Sequence, residues 1–295
     1  MYSQISENKN KTWMLLILMG SFTLLLCMVL GAASGLDVYA AAALGGTFTI
    51  IYALISYYLS DKIALMASGA KAITKSEAPE LYNIVENLCI TNGQPTPAIY
   101  LMNDDSPNAF ATGRDPEHAS IAFTTGLLRI LNKQELEGVA AHELSHVKNY
   151  DIRVMTIVVV LVGAVMLLSD ILLRSSFAGN KKEAGTILLV IGLVLAILSP
   201  LLAEIIKLAV SRQREYLADA SGALLTRYPE GLASALQKIS AHGQPLKKAN
   251  HATAHLFISS PFGAKEGGKV SWFSKLFATH PPVEDRIARL TSMGK

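Results

Sequence analysis

The chain has 295 residues, of which 51% are hydrophobic and only 17% charged, with 26 basic and 23 acidic side chains and a formal charge of +3. So few charges cannot cover a soluble domain of this size, so the composition implies a polar domain joined to membrane-spanning segments. The basic residues are scattered along the chain, which excludes a nucleic-acid footprint. The two cysteines, one in an apolar run and one in a polar segment, exclude both a cysteine zinc cluster and an expected disulfide.

Four apolar stretches stand out: Trp13 to Ala33, Val38 to Leu59, Val154 to Leu173 and Ile187 to Ala203. At about 1.5 Å per helical residue, the first three are long enough to cross a hydrocarbon core and the fourth is marginal. A signal peptide is excluded for the first, because its apolar core is too long and a second apolar stretch follows at once. With the N-terminus inside, Lys9, Lys11, Lys62, Lys71, Lys75, Lys148, Arg153, Lys207, Arg212 and Arg214 are cytoplasmic, and only Arg174, Lys181 and Lys182 lie outside. The chain then divides into an N-terminal transmembrane hairpin (1–60), a first polar part (61–153), a second hairpin (154–210) and a second polar part (211–295).

In the first polar part, Leu81, Ile84, Val85 and Leu88 share one face of a helix expected over Glu77 to Thr91, with Pro79 in its first turn. Pro97 to Met102 and Ser120 to Thr124 read as short strands between turn-forming residues. Asn132 and Glu135 form a capping-box pattern that starts a helix running through His146 and directly on into the third apolar stretch.

That helix carries His142, Glu143, Leu144, Ser145 and His146, an H-E-x-x-H pattern. Residues at i and i+4 lie one above the other, so both imidazoles reach one metal ion. Zinc accepts imidazole nitrogen and keeps a position open in catalytic sites, and Glu143 is placed to take a proton from water attacking a carbonyl. A third ligand is required. Position 152 is Ile, so a histidine six residues further on is absent; Glu215, within SRQREYLADA, supplies a carboxylate from a separate helix. Asp219, four residues later on the same face, is placed to orient a ligand histidine. A hairpin of the third and fourth apolar stretches returns the chain to the same membrane face and brings the two helices together. A solvated surface helix, with Glu215 paired to Arg212 or Arg214, is the bland alternative.

These residues resemble the HtpX group of membrane-bound gluzincin proteases, relatives of the prenyl-protein (CAAX) endopeptidases. The resemblance also covers Pro107 to Gly113, Thr125 to Leu128, Asn149 with Asp151, and Thr279 to Arg286. It implies a mainly α membrane protein with a small β-sheet, a gluzincin-like α+β protease domain fused to four transmembrane helices. It implies one zinc ion per chain, held by His142, His146 and Glu215, with Glu143 as catalytic base. It further implies an edge strand at Asn108, Ala109, Phe110 and Ala111 that binds extended substrate, and a pair, His280 and Arg286, that stabilises the developing oxyanion and braces the glutamate. The expected partners are unfolded or membrane proteins and the lipid bilayer. The expected location is a bacterial inner membrane, the catalytic site on its cytoplasmic side, with a role in protein quality control and stress response. A catalytically silent metal-binding scaffold, a prenyl-protein endopeptidase and a transporter remain as rivals. The aromatic run Val270 to Phe277 is a further candidate for contact with the membrane interface.

Overall fold

The computed structural model describes residues 2–33, 35–163, 211–242, 244–250, 252–263 and 281–294. The fourth apolar stretch, the distal half of the third, His280 and the Val270 to Phe277 run lie outside the described residues.

Helices α1 (Tyr2–Ala33) and α2 (Val38–Tyr58) form an antiparallel hairpin. Gly35, at φ +75°, turns the chain between them, and the Asp37 side chain accepts from the Tyr39 and Ala40 N–H groups to start α2. Glycine lets the two helices touch: a Cβ at Gly31 would lie 2.6 Å from that of Ala41, and one at Gly45 would lie 2.8 Å from that of Cys27. Such small-residue contacts are how helices pack where no hydrophobic effect drives them together. Outward, Trp13, Ile17, Leu25, Leu44, Phe48 and Ile50 are exposed. Both helices are long and apolar enough to cross a membrane, and their exposed apolar faces distinguish them from the core helices of a soluble domain. Helix α1 begins well before the apolar stretch that predicts it, so that two polar turns extend beyond the span.

Helix α3 (Ser60–Ser68) leads into a four-stranded sheet of β1 (Lys71–Ala72), β2 (Ala98–Met102), β3 (Ala109–Gly113) and β4 (Ala119–Thr124), in the order β1-β2-β4-β3. Strands β2 and β4 are parallel, and both outer pairings are antiparallel. Between β1 and β2, α4 (Pro79–Asn92) buries Leu81, Ile84, Val85 and Leu88 and ends at Gly93 in the left-handed region. It starts two residues later than its periodicity suggests, because Glu77 caps the preceding turn by accepting from the Thr74 N–H.

Alternation along the strands divides the interior in two. Ile99, Ile121 and Phe123 face a core completed by α4 and, after the short α5 (Thr125–Ile130), by α6 (Lys133–Lys148). Met102, Phe110 and Ala122 face the other way, onto Leu15 of α1, α3 and Val154 to Val162. The described part of the third apolar stretch is therefore packed inside the protein. Because both faces are covered, β4 is buried at every position.

Helix α6 is the pivot of the fold. Its capping box is formed: the Glu135 N–H donates to Asn132 Oδ1 (3.0 Å) and the Asn132 N–H to Glu135 Oε2 (2.8 Å). The Glu135 carboxylate also accepts from Ser234 Oγ at 2.6 Å and Lys238 Nζ at 2.7 Å, which ties α6 to the helix Pro229–His242. Gly138 lets that helix come close, since a Cβ there would lie 2.7 Å from the Leu232 nitrogen. At its far end α6 does not run on. It stops at Lys148, Tyr150 takes φ +61°, and a new helix begins at residue 151.

Loss of the Glu135 interactions by Glu135→Ala should cost about 2–3 kcal/mol, the value of charge-assisted bonds to a buried carboxylate. Burial opposes the Glu135 charge, but Lys238, Ser234 and the Asn132 N–H outweigh it and hold the carboxyl below its ordinary 4.5. A lowered folded value stabilises above the unfolded one, so the wild-type advantage should fade as pH falls below about 4.5. Thermal melts of both forms in detergent across that range check the sign.

Candidate metal centre

The C-terminal half of α6 is sealed on all sides: His142, Glu143 and His146 are buried although all three are polar. Close packing makes this possible. Ala140 and Ala141 are small, and Gly222 on the helix Arg212–Thr226 lies where a Cβ would be 3.0 Å from the His142 nitrogen. The two backbones approach closely enough for side chains on both helices to meet.

They meet at one point. His142 Nε2 is 3.2 Å from His146 Nε2, which is 3.5 Å from Glu215 Oε1; Glu215 Oε2 is 4.0 Å from His142 Nε2. A tetrahedral site with bonds of about 2.0–2.1 Å separates its ligands by about 3.3 Å. The two imidazole nitrogens and the Glu215 carboxylate, one oxygen toward each histidine, thus stand at separations near those of such a site. Two imidazole nitrogens and a carboxylate oxygen, with a direction left open, are also the donor chemistry of a catalytic zinc site.

The other ring nitrogens are held by carboxylates. Asp219 Oδ1 lies 3.0 Å from His142 Nδ1, and Asp151 Oδ2 lies 3.1 Å from His146 Nδ1. Each carboxylate favours the Nδ1–H tautomer and turns Nε2 inward. Arg286, on the C-terminal helix Val283–Met293, donates twice to Asp219, at 2.8 Å and 2.7 Å, and once to the Ile258 carbonyl at 3.2 Å. Its Nη1 also stands 3.8 Å from Glu215 Oε2. It is fully buried among these acids, in place of the surface position that its amphipathic helix allowed.

Electrostatics follow from this enclosure. Burial disfavours charge on His142, and Arg286 and His146 add to that, so its pKa falls to about 4 despite Asp219. Burial also opposes charge on His146, but the Asp151 bond and the Glu215 and Glu143 charges prevail and raise it to about 9. Burial pushes Glu143 up to about 7, with Glu215 adding to the rise and His146, Arg286 and an N–H bond from Ala111 opposing it. Asp219 is held at about 2: burial would raise it, but Arg286 and His142 overcome that.

Strand β3 lies at the sheet edge beside Glu143. The Ala109 carbonyl accepts from the Ile258 N–H at 2.9 Å, while Asn108 grips the Ser259 backbone at 3.0 Å and 3.3 Å. Phe110 turns inward and packs edge-on against Phe257. Of the residues expected for substrate, only backbone groups of β3 thus face the edge.

The structure brings His142, Glu143, His146, Glu215, Asp219 and Arg286 into one cluster, with Asn108 to Ala111 at its border; His280 is not among the described residues. Asp151 was missed as an orienting residue. It lies five positions beyond His146, past the helix end, and reaches back only because of the left-handed turn at Tyr150. A second acidic group, Asp115, Glu117 and His118, is open to solvent and is accounted for by a local turn in which Asp115 accepts from the His118 N–H at 2.9 Å.

Comparison with known proteins agrees with this geometry. Residues 75–294 match the model of peptidase family M48. Proteins named Protease HtpX homolog match the whole chain: that of Tropheryma whipplei (strain Twist) is 48% identical, covering 100% of this chain and 99% of its own. That of Dictyoglomus thermophilum is 47% identical, covering 100% and 95%. Among solved structures, S. mikatae Ste24p superposes on 98% of this chain and 67% of its own, with a TM-score of 0.51. At 19% identity that likeness concerns the fold alone.

A side chain at Gly222 should push the helices apart and open the ligand set. Gly222→Val is expected to cost about 1–3 kcal/mol of packing and to lower the metal content of the purified protein. Gly46→Ala, with nothing within 4 Å of the new Cβ, should leave metal content unchanged. Elemental analysis of both variants gives the answer.

Proposed function

The chain belongs to peptidase family M48, and from that premise we propose that it is a zinc-dependent endopeptidase of a bacterial membrane, acting on unfolded or damaged proteins. The observation that carries the reading is the convergence of donor atoms at the buried site. His142 Nε2, His146 Nε2 and the Glu215 carboxylate stand 3.2–4.0 Å apart, while Asp219 and Asp151 hold the other ring nitrogens. That is a donor set one divalent cation can share.

In this reading His142 and His146 offer Nε2 and Glu215 a carboxylate oxygen to one zinc ion per chain. Zinc supplies Lewis acidity, which acidifies water and polarises a carbonyl. The protein does the rest. Asp219 and Asp151 keep the Nδ1 protons in place, and Arg286 braces Asp219 and the Glu215 side of the site. Glu143, held by the Ala111 N–H, accepts a proton from the attacking water and passes it to the leaving amine. His280, three residues before the Arg286 helix in sequence, is assigned to the developing oxyanion. The placement of Glu143 favours an enzyme over a silent scaffold, because a purely structural site has no use for a buried carboxylate beside its ligands.

Substrate would enter as an extended segment along β3. The Ile258 N–H already pairs with the Ala109 carbonyl, the kind of backbone bond such a segment would use, while the Asn108 side-chain amide holds the Ser259 backbone beside it. Recognition through backbone groups suits unfolded chains of any sequence and supports a role in protein quality control. Four spans, of which α1 and α2 are the two described, would set the site at the cytoplasmic face, with residues 61–153 and 211–295 as the two halves of the protease domain.

Glu143→Gln should keep the metal and the fold while casein cleavage, sensitive to chelators in the wild type, falls by at least about 10²-fold. A metal-loaded variant that cuts at the wild-type rate would refute the base assignment.

A further inference from the structure

The polar turns of α1 that precede the membrane span do more than anchor it. Asn8 is buried, and its amide is fully used. Nδ2 donates to the Asn149 carbonyl and to Asp151 Oδ1, both at 2.8 Å, and Oδ1 accepts from Arg214 Nη1 at 2.8 Å. The other Asp151 oxygen faces His146 Nδ1. Next to Asn8, Lys9 stands 5.0 Å from the centre of the Tyr150 ring, whose opposite partner is Arg153, also at 5.0 Å. Residues 8 and 9 thus hold both residues of the break after α6, Asn149 and Tyr150, and Asp151, the first residue of the next helix. That break contains a bulky side chain at φ +61°, a conformation that persists only where its surroundings impose it.

We propose that Asn8 is a positioning residue for the metal centre: its amide fixes Asp151, and through Asp151 it aims the His146 ring at the metal. The inference rests on His146 being a metal ligand. Membrane anchoring requires none of this polar chemistry, since α1 is already held by apolar contact of Leu15 with the layer containing Val154 to Val162. Arg214 reinforces the link, because it donates to Asn8 Oδ1 and is itself the residue just before Glu215. One amide therefore sits between the membrane helix, the strained turn and the helix that carries the third ligand. Only asparagine serves there, offering two N–H groups to oxygen acceptors and one oxygen to a guanidinium. Aspartate would keep the Arg214 contact but set a second carboxylate against Asp151.

The experiment compares full-length wild type, Asn8→Ala, Asn8→Asp and Leu15→Ala in detergent. It measures zinc loss to excess chelator, the visible spectrum of the cobalt-substituted protein, and kcat and KM on casein. Both Asn8 variants should release zinc about tenfold faster, as when a partner of a metal-bound histidine is lost, with an altered cobalt spectrum and lower kcat at unchanged KM. Leu15→Ala should melt earlier but release zinc at the wild-type rate. Wild-type release and spectrum in Asn8→Ala would overturn the proposal, as would Leu15→Ala releasing zinc as fast as Asn8→Ala, which would reduce Asn8 to a structural tether. If instead the wild type binds no stoichiometric zinc, the ligand assignment itself fails and this proposal with it.

Discussion

Charge removed from water must find opposite charge or hydrogen-bond donors, and the buried cluster of acids, guanidinium groups and imidazoles in this protein is arranged around that requirement. Four carboxylates and two guanidinium groups share one dry cluster with two histidines. Asp151, Glu215 and Glu143 raise His146 to about 9 against the effect of burial, while burial first and Glu215 second raise Glu143 to about 7. The same burial that makes the charges costly makes them effective on whatever enters.

Holding such a cluster together requires close backbone approach and rigid support. Gly138 and Gly222 let α6 touch two helices, while the sheet covers its third side. The capping box, Ser234 and Lys238 secure the start of α6, and Asp219 with Arg286 secures its centre. The sheet faces two cores at once. One is the interior of the protease domain, and the other is shared with α1 and residues 154–162. Apolar packing therefore joins α1 and residues 154–162 to the sheet beside the candidate site.

The break after α6 shows how local strain serves the site. A continuous helix would carry Asp151 away from His146, more than one turn further along. The left-handed Tyr150 reverses the chain so that Asp151 reaches back, and Lys9 and Asn8 of α1 cover the turn. Contacts between residues more than 140 positions apart thus stabilise a conformation that the local sequence would not choose.

Much of this was legible in the residues alone, and for a physical reason. Helical periodicity, a capping box and apolar length are local properties, so α4, α6 and the two long apolar helices α1 and α2 could be read directly. The spacing of His142, Glu143 and His146 is likewise set by a single helix. Glu215 and Asp219 were reachable because they share one face of another. What periodicity cannot express is contact between segments distant in the chain. The burial of Arg286, the pairing of β3 with Ile258, the end of α6 at a left-handed tyrosine and the use of Asn8 all depend on which surfaces meet. The sequence by itself determined which groups were able to bind a metal; only the tertiary structure decided how they are held, because orientation comes from partners that no local pattern encodes.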